Sequence, residues 1–346
     1  MNTTFPPLKP AGKLLPNRSR LFIGAYGFED RSLGWPSRQT KRDGVLKHAI
    51  VFKYKHPKGK NKVQELRDEL ADLGVTKTKD IVCDVRYPYP VEDLLEAEFH
   101  KLEYDEVVLD ITAMTKLLIL ACLCKLKTYK GTLRLVYSEA KIYSPSKLEF
   151  EAAVKRGMAV LTKFPSRGAE SVVRLRCLSS IRMQGQPVIL VAFTSFNEQL
   201  VRHMLGTMSP HRLMFINGRP PRSESGWREH ATQTIHERLV DEFAADNPKS
   251  NGLLKRVAST LDYRDTIDRI NSVYDAHGNF ERIICAATGS KMQTVGLFFS
   301  KAIHPDVHVE YPTPDSYFVK GFSEDIRKVH EVTFTRFSEF IAANSR

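Results

Sequence analysis

The sequence lacks any long apolar run. Its densest, Leu117 to Cys124 (LLILACLC), is far short of the about 20 residues a bilayer crossing needs, so neither a span nor a membrane partner is expected. The opening stretch, MNTTFPPLKPAGKLLPNRSR, carries prolines and bases where a signal peptide needs an apolar core. Cysteine is scarce, five in 346 residues. Cys83, Cys122, Cys124 and Cys285 sit in apolar runs and read as buried thiols of a reducing, cytoplasmic setting. Cys122 and Cys124 have neither CxxC spacing nor a neighbouring histidine, which argues against zinc.

Several catalytic signatures are missing as well. No GxGxxG follows a strand, so dinucleotide binding of the usual kind is not indicated, and no G-x-x-x-x-G-K-[ST] loop occurs. There is no GxSxG elbow and no HExxH. The 11 histidines are scattered, and His230 and His236 do not share a helix face, so a metal site is not indicated.

What is present is basic and globular. Lys and Arg number 52 against 40 Asp and Glu, a formal net charge of +12, with 42% hydrophobic residues. That mix builds cores, and the surplus positive charge calls for an anionic partner such as a nucleotide or nucleic acid. Short apolar runs alternate with helical periodicity. LFIGAY (21–26), AIVFKY (49–54), IVCDV (81–85), EVVLDIT (106–112) and LRLVY (133–137) read as strands, with helices over 60–74, 91–102 and 116–127. VVLDI and LRLVY are apolar without alternation, as strands buried on both faces are. After a connector the pattern restarts. VILVAF (188–193), HRLMFI (211–216), RIICAA (282–287) and 307–311 read as strands, separated by helices over 197–205, 230–243, 262–274 and 291–303. Within the connector, VVRLRCLSSIRM reads as a strand or hairpin at a sheet edge.

The fold class expected is α/β: two tandem Rossmann-like βαβ domains with mainly parallel sheets and an internal duplication. The boundaries are a flexible arm over 1–19, domain one over 20–140, a connector over 141–186, domain two over 187–323 and a C-terminal helix over 324–346. The duplication rests on paired segments. LFIGAYGFEDRSL (21–33) matches LVAFTSFNEQL (190–200), and VVLDITAMTKLLILACLC (107–124) matches IICAATGSKMQTVGLFF (283–299). In the second pair a strand, a Thr, a short turn and a Lys lead into an apolar helix each time.

Ligands of open α/β sheets bind beyond the carboxyl ends of the strands. In the turn Thr288–Gly289–Ser290–Lys291, the glycine permits close approach, the helix start offers unpaired amides, and Lys291 adds a positive charge. It reads as a phosphate cradle, with a plain Ser290 helix cap as the alternative. The partner turn has Thr112 and Lys116 but Ala113 in place of glycine, and Asp110 as a candidate ribose ligand, base or cap. After the first strand of each half, Phe28–Glu29–Asp30–Arg31 and Phe196–Asn197 place an aromatic beside polar groups, which suits a base-contacting wall as well as helix capping.

The turn ATGSKM followed by an apolar helix resembles the signature of CRISPR-associated Rossmann-fold (CARF) sensor domains. The match is carried by Thr288, Gly289, Ser290, Lys291 and Met292, and more weakly by Thr112 and Lys116. In that family a Thr-Gly-Gly-Thr-Lys-type turn holds the phosphates of a cyclic oligonucleotide. Here Ser290 replaces the second glycine and the first half has none. The resemblance implies a sensor of an antiphage system, a ring nuclease that degrades its ligand, or a subunit acting through an effector protein. Two other readings stay open. In a metal-dependent nuclease or nucleotide-processing enzyme, Glu29, Asp30 and Asp110 would serve as acid–base or magnesium-binding carboxylates. In a nucleic-acid-binding subunit, the arm and the arginine-rich loop 218–228 would carry the contacts.

Overall fold

A computed structural model describes residues 4–55, 61–84, 87, 89–100, 102–157, 166–246, 253–317 and 322–345. In chain order these form β1 (Lys9–Pro10), β2 (Arg20–Ala25), β3 (His48–Tyr54), α1 (Val63–Asp72), β4 (Lys77–Cys83), α2 (Tyr89–Phe99), β5 (Glu106–Asp110), α3 (Lys116–Leu126) and β6 (Thr132–Tyr143). Next come α4 (Lys147–Arg156), β7 (Ser166–Arg167), β8 (Ser171–Val173), β9 (Val188–Phe193), α5 (Gln199–Met208), β10 (Arg212–Arg219), α6 (Trp227–Asp246) and β11 (Leu253–Ser259). The rest is α7 (Tyr263–His277), β12 (Arg282–Ala286), α8 (Lys291–Ile303), β13 (His308–Thr313), β14 (Ser316–Tyr317), β15 (Ser323–Phe334) and α9 (Phe337–Asn344). Two compact units result: lobe one, Met1–Ser144 with Val319–Asn344, and lobe two, Pro145–Phe318 with Ser345–Arg346.

Each lobe is an α/β sheet, mainly parallel. Lobe one is ordered β1-β15-β6-β5-β2-β3-β4 and lobe two β11-β10-β9-β12-β13-β8. Numbering the parallel strands of each lobe by chain order gives the same arrangement twice, 3-2-1-4-5. In each lobe an antiparallel strand then covers strand five: β15 on β6, and β8 on β13. Tyrosines mark the likeness too. Tyr137 and Tyr143 share a hydroxyl hydrogen bond at 2.9 Å, and Tyr311 and Tyr317, at the same spacing, share one at 3.2 Å.

The cores follow from the apolar strands. In lobe one, Leu66, Leu70 and Leu73 of the α1 region bury against Phe22, Val51, Val108 and Val136, with Trp35 stacked on Phe22 at 5.9 Å. In lobe two, Val201 and Met204 of α5 and Leu239 and Phe243 of α6 cover Leu190, Phe215 and Ile284. α7 and α8 cross tightly at Gly296, where a Cβ would lie 2.6 Å from both the Tyr263 carbonyl oxygen and the Thr266 Cβ.

The structure departs from the sequence reading at several places. Part of the expected arm, 9–14, is docked: Lys9 and Pro10 pair with Glu331 and His330, and Leu14 is buried in the core. Residues 324–334, expected within a helical tail, are strand, because β15 pairs antiparallel along β6 and buries Val329, Val332 and Phe334; only Phe337–Asn344 is helix. Asp30–Leu33, expected to begin a helix, is a 3₁₀ turn. β11 has no counterpart in the sequence reading. It is an outer strand, and Lys255 and Arg256 are exposed, so the apolar signal of a strand is weak there. The edge strand expected in VVRLRCLSSIRM is present as β8, followed by a 3₁₀ turn at Arg176–Leu178. Of the loop read from the sequence at 246–252 (DNPKSNG), residues 247–252 lie outside the described residues, as do residues 158–165 of the connector.

Candidate functional site

The carboxyl ends of strands one and four border the point where the order 3-2-1-4-5 reverses, and there the crossing helices begin. In lobe two, β12 ends at Ala286 and α8 starts at Lys291. Ser290 is the N-cap of α8. Its hydroxyl accepts from the Gln293 N–H at 3.1 Å, and its own N–H donates to Gln293 Oε1 at 2.8 Å, closing a capping box. Ser290 Oγ also donates to the Thr260 carbonyl at 2.7 Å. The cap given as the alternative reading is present, and it fixes Lys291 at the first helical position, beside the positive end of the helix dipole. Thr288 is buried, and its hydroxyl is engaged within the protein, accepting from Phe193 N–H at 2.9 Å and donating to Phe193 O at 2.8 Å. Gly289 has a packing reason besides ligand approach. A Cβ there would lie 2.8 Å from Phe193 Cβ and inside contact distance of Gln293 Oε1.

Lobe one repeats the geometry with different chemistry. Thr115 caps α3 by accepting from Leu118 N–H at 3.3 Å, and Lys116 takes the first helical position, as Lys291 does. Lys116 keeps part of its surface but lies in a protein-lined setting, and burial pushes its ammonium down to about 8. Asp110 Oδ1 accepts the Thr112 N–H at 2.9 Å, which is the capping alternative for that carboxylate. Thr112 Oγ1 accepts from Ser138 N–H at 2.9 Å, so this threonine also ties its turn to a neighbouring strand. The glycine missing at Ala113 is found across the gap: a Cβ on Gly27 would lie 2.8 Å from Ala113 Cβ.

The residues after the first strands are drawn inward. Glu29 pairs with Arg31 at 2.9 Å and accepts from the Ser323 hydroxyl. Arg31 is buried, with its guanidinium 5.9 Å from the Tyr137 ring centroid and 5.8 Å from that of Tyr143. Asp30 is exposed and pairs with Lys62 at 2.9 Å. Glu29, Asp30 and Asp110 thus each face a partner of their own. Among the described residues, no group of three His, Cys, Asp or Glu side chains is placed to hold a metal ion.

Phe28 stays partly exposed, edge-on to Phe322 at 5.7 Å. Phe196, expected on a base-contacting wall, is instead a core residue. It packs with Phe150, Trp227, Ala231 and Ile235 beneath the Arg228 guanidinium, which lies 4.7 Å from its ring. Asn197 is buried, its amide donating to Ser166 Oγ at 3.1 Å and Gly168 O at 2.9 Å, which pins a loop rather than presenting an edge to a base. The arginine-rich loop is partnered internally too. Arg219 pairs with Glu229 at 3.2 Å, Arg222 with Glu224 at 3.5 Å, and Arg228 donates to Pro145 O at 2.8 Å.

Sequence reasoning passed over two residues at these turns. Tyr54, from the end of β3, donates to the Ala113 carbonyl at 3.0 Å and accepts from Thr115 N–H at 2.9 Å. Gln293 completes the α8 cap with its oxygen, while its amide nitrogen has no hydrogen-bond partner among the described residues. A polar residue three positions after Ser290 was the available signal for Gln293. Nothing local signals Tyr54, because its contacts depend on strand order.

Among solved structures, one described as a Type III CRISPR defence DNA nuclease activated by cyclic oligoadenylate has the same fold over 89% of this chain and 68% of its own, with a TM-score of 0.52 at 11% sequence identity. No protein-family model and no curated protein matches the sequence. None of the described helices is long and apolar enough to cross a membrane.

Proposed function

We propose that this chain is a nucleotide sensor of antiviral defence that takes up a phosphate-bearing oligonucleotide, a cyclic oligoadenylate by class, at the turn opening α8. The observation that carries this reading is the capped helix start at Gly289–Ser290–Lys291, set where the strand order reverses. A rigid start of that kind presents amide donors, the helix dipole and a lysine to one anionic group. The shared fold with a nuclease activated by cyclic oligoadenylate supports the choice of ligand class. Lys291 neutralises a phosphate, Gly289 leaves room beside the backbone, and Ser290 fixes the turn. The net charge of +12 favours capture of a polyanion.

Isothermal titration with a panel of cyclic and linear oligoadenylates tests this. The cyclic members should bind the wild type, and Lys291→Ala should weaken binding roughly tenfold or more. Wild type that binds no member of the panel, or Lys291→Ala that binds equally, refutes it. Mass spectrometry of small molecules that co-purify with the protein gives an independent answer on ligand identity.

A further inference from the structure

The two turns occupy matching places, and their immediate surroundings differ. Past the end of strand one, Tyr26 N–H donates to Phe52 O at 3.0 Å, and in lobe two Thr194 N–H donates to Ile216 O at 3.1 Å. Two residues further along each second strand, the register puts Tyr54 in lobe one and Gly218 in lobe two at the same point. Tyr54 reaches across to the α3 turn and satisfies both the Thr115 N–H and the Ala113 carbonyl. Asp110 takes the Thr112 N–H of the same turn. Two amides of that turn, those of Thr112 and Thr115, are therefore claimed by the protein's own carboxyl and phenol.

Gly218 has no side chain to do this. The N–H of the cap residue Ser290 is satisfied from within α8, by Gln293 Oε1. That bond fixes which end of the Gln293 amide is oxygen, so its nitrogen is the group left over. It is buried, has no hydrogen-bond partner among the described residues, and lies 3.7 Å from where a Gly218 Cβ would be. The position matching Asp110 is Ala286, and the nearest strand-five carboxylate, Glu310, is held by Arg174 and His308, each at 2.8 Å.

We propose that anion recognition is divided unequally between the lobes: the α8 turn, with the Gln293 amide nitrogen as a specificity-determining donor, receives a phosphate group, while Tyr54 closes the α3 turn to it. The inference rests on the reading of the α8 turn given above and narrows it. A buried donor pair beside a helix start selects an acceptor oxygen and rejects a cation. The phenol of Tyr54 occupies the equivalent acceptor and donor positions with neutral groups, so the α3 turn needs no ligand to be satisfied.

Inorganic pyrophosphate is the probe, followed by thermal shift and isothermal titration on the full chain, with a ring-size series of cyclic oligoadenylates as a parallel arm. Gln293→Glu keeps the capping oxygen at a position where a carboxylate caps a helix start, and circular dichroism of the ligand-free variant checks that it folds before its affinity is read. The substitution replaces the donor by a negative charge, and pyrophosphate affinity should fall roughly tenfold or more. Tyr54→Phe should leave that affinity within about twofold of wild type. Pyrophosphate binding that is equal in Gln293→Glu and wild type, or absent from wild type, or lost in Tyr54→Phe, overturns the inference. Gln293-dependent pyrophosphate binding without any response to cyclic oligoadenylates upholds it and refutes the ligand class instead.

Discussion

Thr288 shows how a hydroxyl at a strand end can serve the fold before it serves a ligand. With both backbone groups of Phe193 bonded to one buried side chain, Thr288→Val strands a donor and an acceptor in the interior. The expected cost is about 2 kcal/mol, read as a lower urea midpoint for lobe two. A variant as stable as wild type would mean that the turn relaxes to water. Lys116 gives a pH signature. Its native value is near 8 against an ordinary 10.5, so between those limits the unfolded chain holds a proton that the native state has released. Stability contributed by this residue therefore rises with pH across that window. Lys116→Met should flatten the rise, measured as urea midpoints at the two ends of the window. An unchanged pH slope would show that the ammonium is solvated after all.

Helices and strands differ in how openly the sequence declared them. The buried parallel strands and α3 and α8 were legible because they are short, densely apolar and flanked by turns. The strands at the margins were not: β11 and β15 mix charge with apolar residues, since one face or one edge meets solvent. The turn Thr288–Lys291 was legible as a helix start, and Ser290 is indeed the cap. The burial of Phe196 and Asn197 was not, because it depends on packing against Trp227 and the 166–168 segment, both distant in sequence. Gly296 illustrates the same limit. Helix propensity alone predicts that Gly296→Ala stabilises α8 by about 1 kcal/mol. A Cβ 2.6 Å from a backbone carbonyl of α7 reverses the sign, and the variant should lose about 1–2 kcal/mol through overpacking. Thermal unfolding decides between them, since a raised midpoint would show that α7 can shift away.

The molecule as a whole carries one arrangement twice, but it is the first lobe whose sheet is completed by a strand from the far side of the other lobe's sequence. β15 lies between β1 and β6 and supplies Val329, Val332 and Phe334 to the interior, with Phe337 of α9 beside them. A chain stopped after residue 317 should leave lobe one unable to close, and limited proteolysis should cleave within 4–144 while 166–317 resists. Equal resistance of both regions would show that lobe one does not need its returning strand. For a protein made from its amino end, β15 also imposes an order on the ribosome: the lobe begun first is the last to be finished. Until the returning segment emerges, the β6 margin waits unpaired for the length of an entire intervening lobe, a period when a chaperone or a neighbouring nascent chain could occupy it.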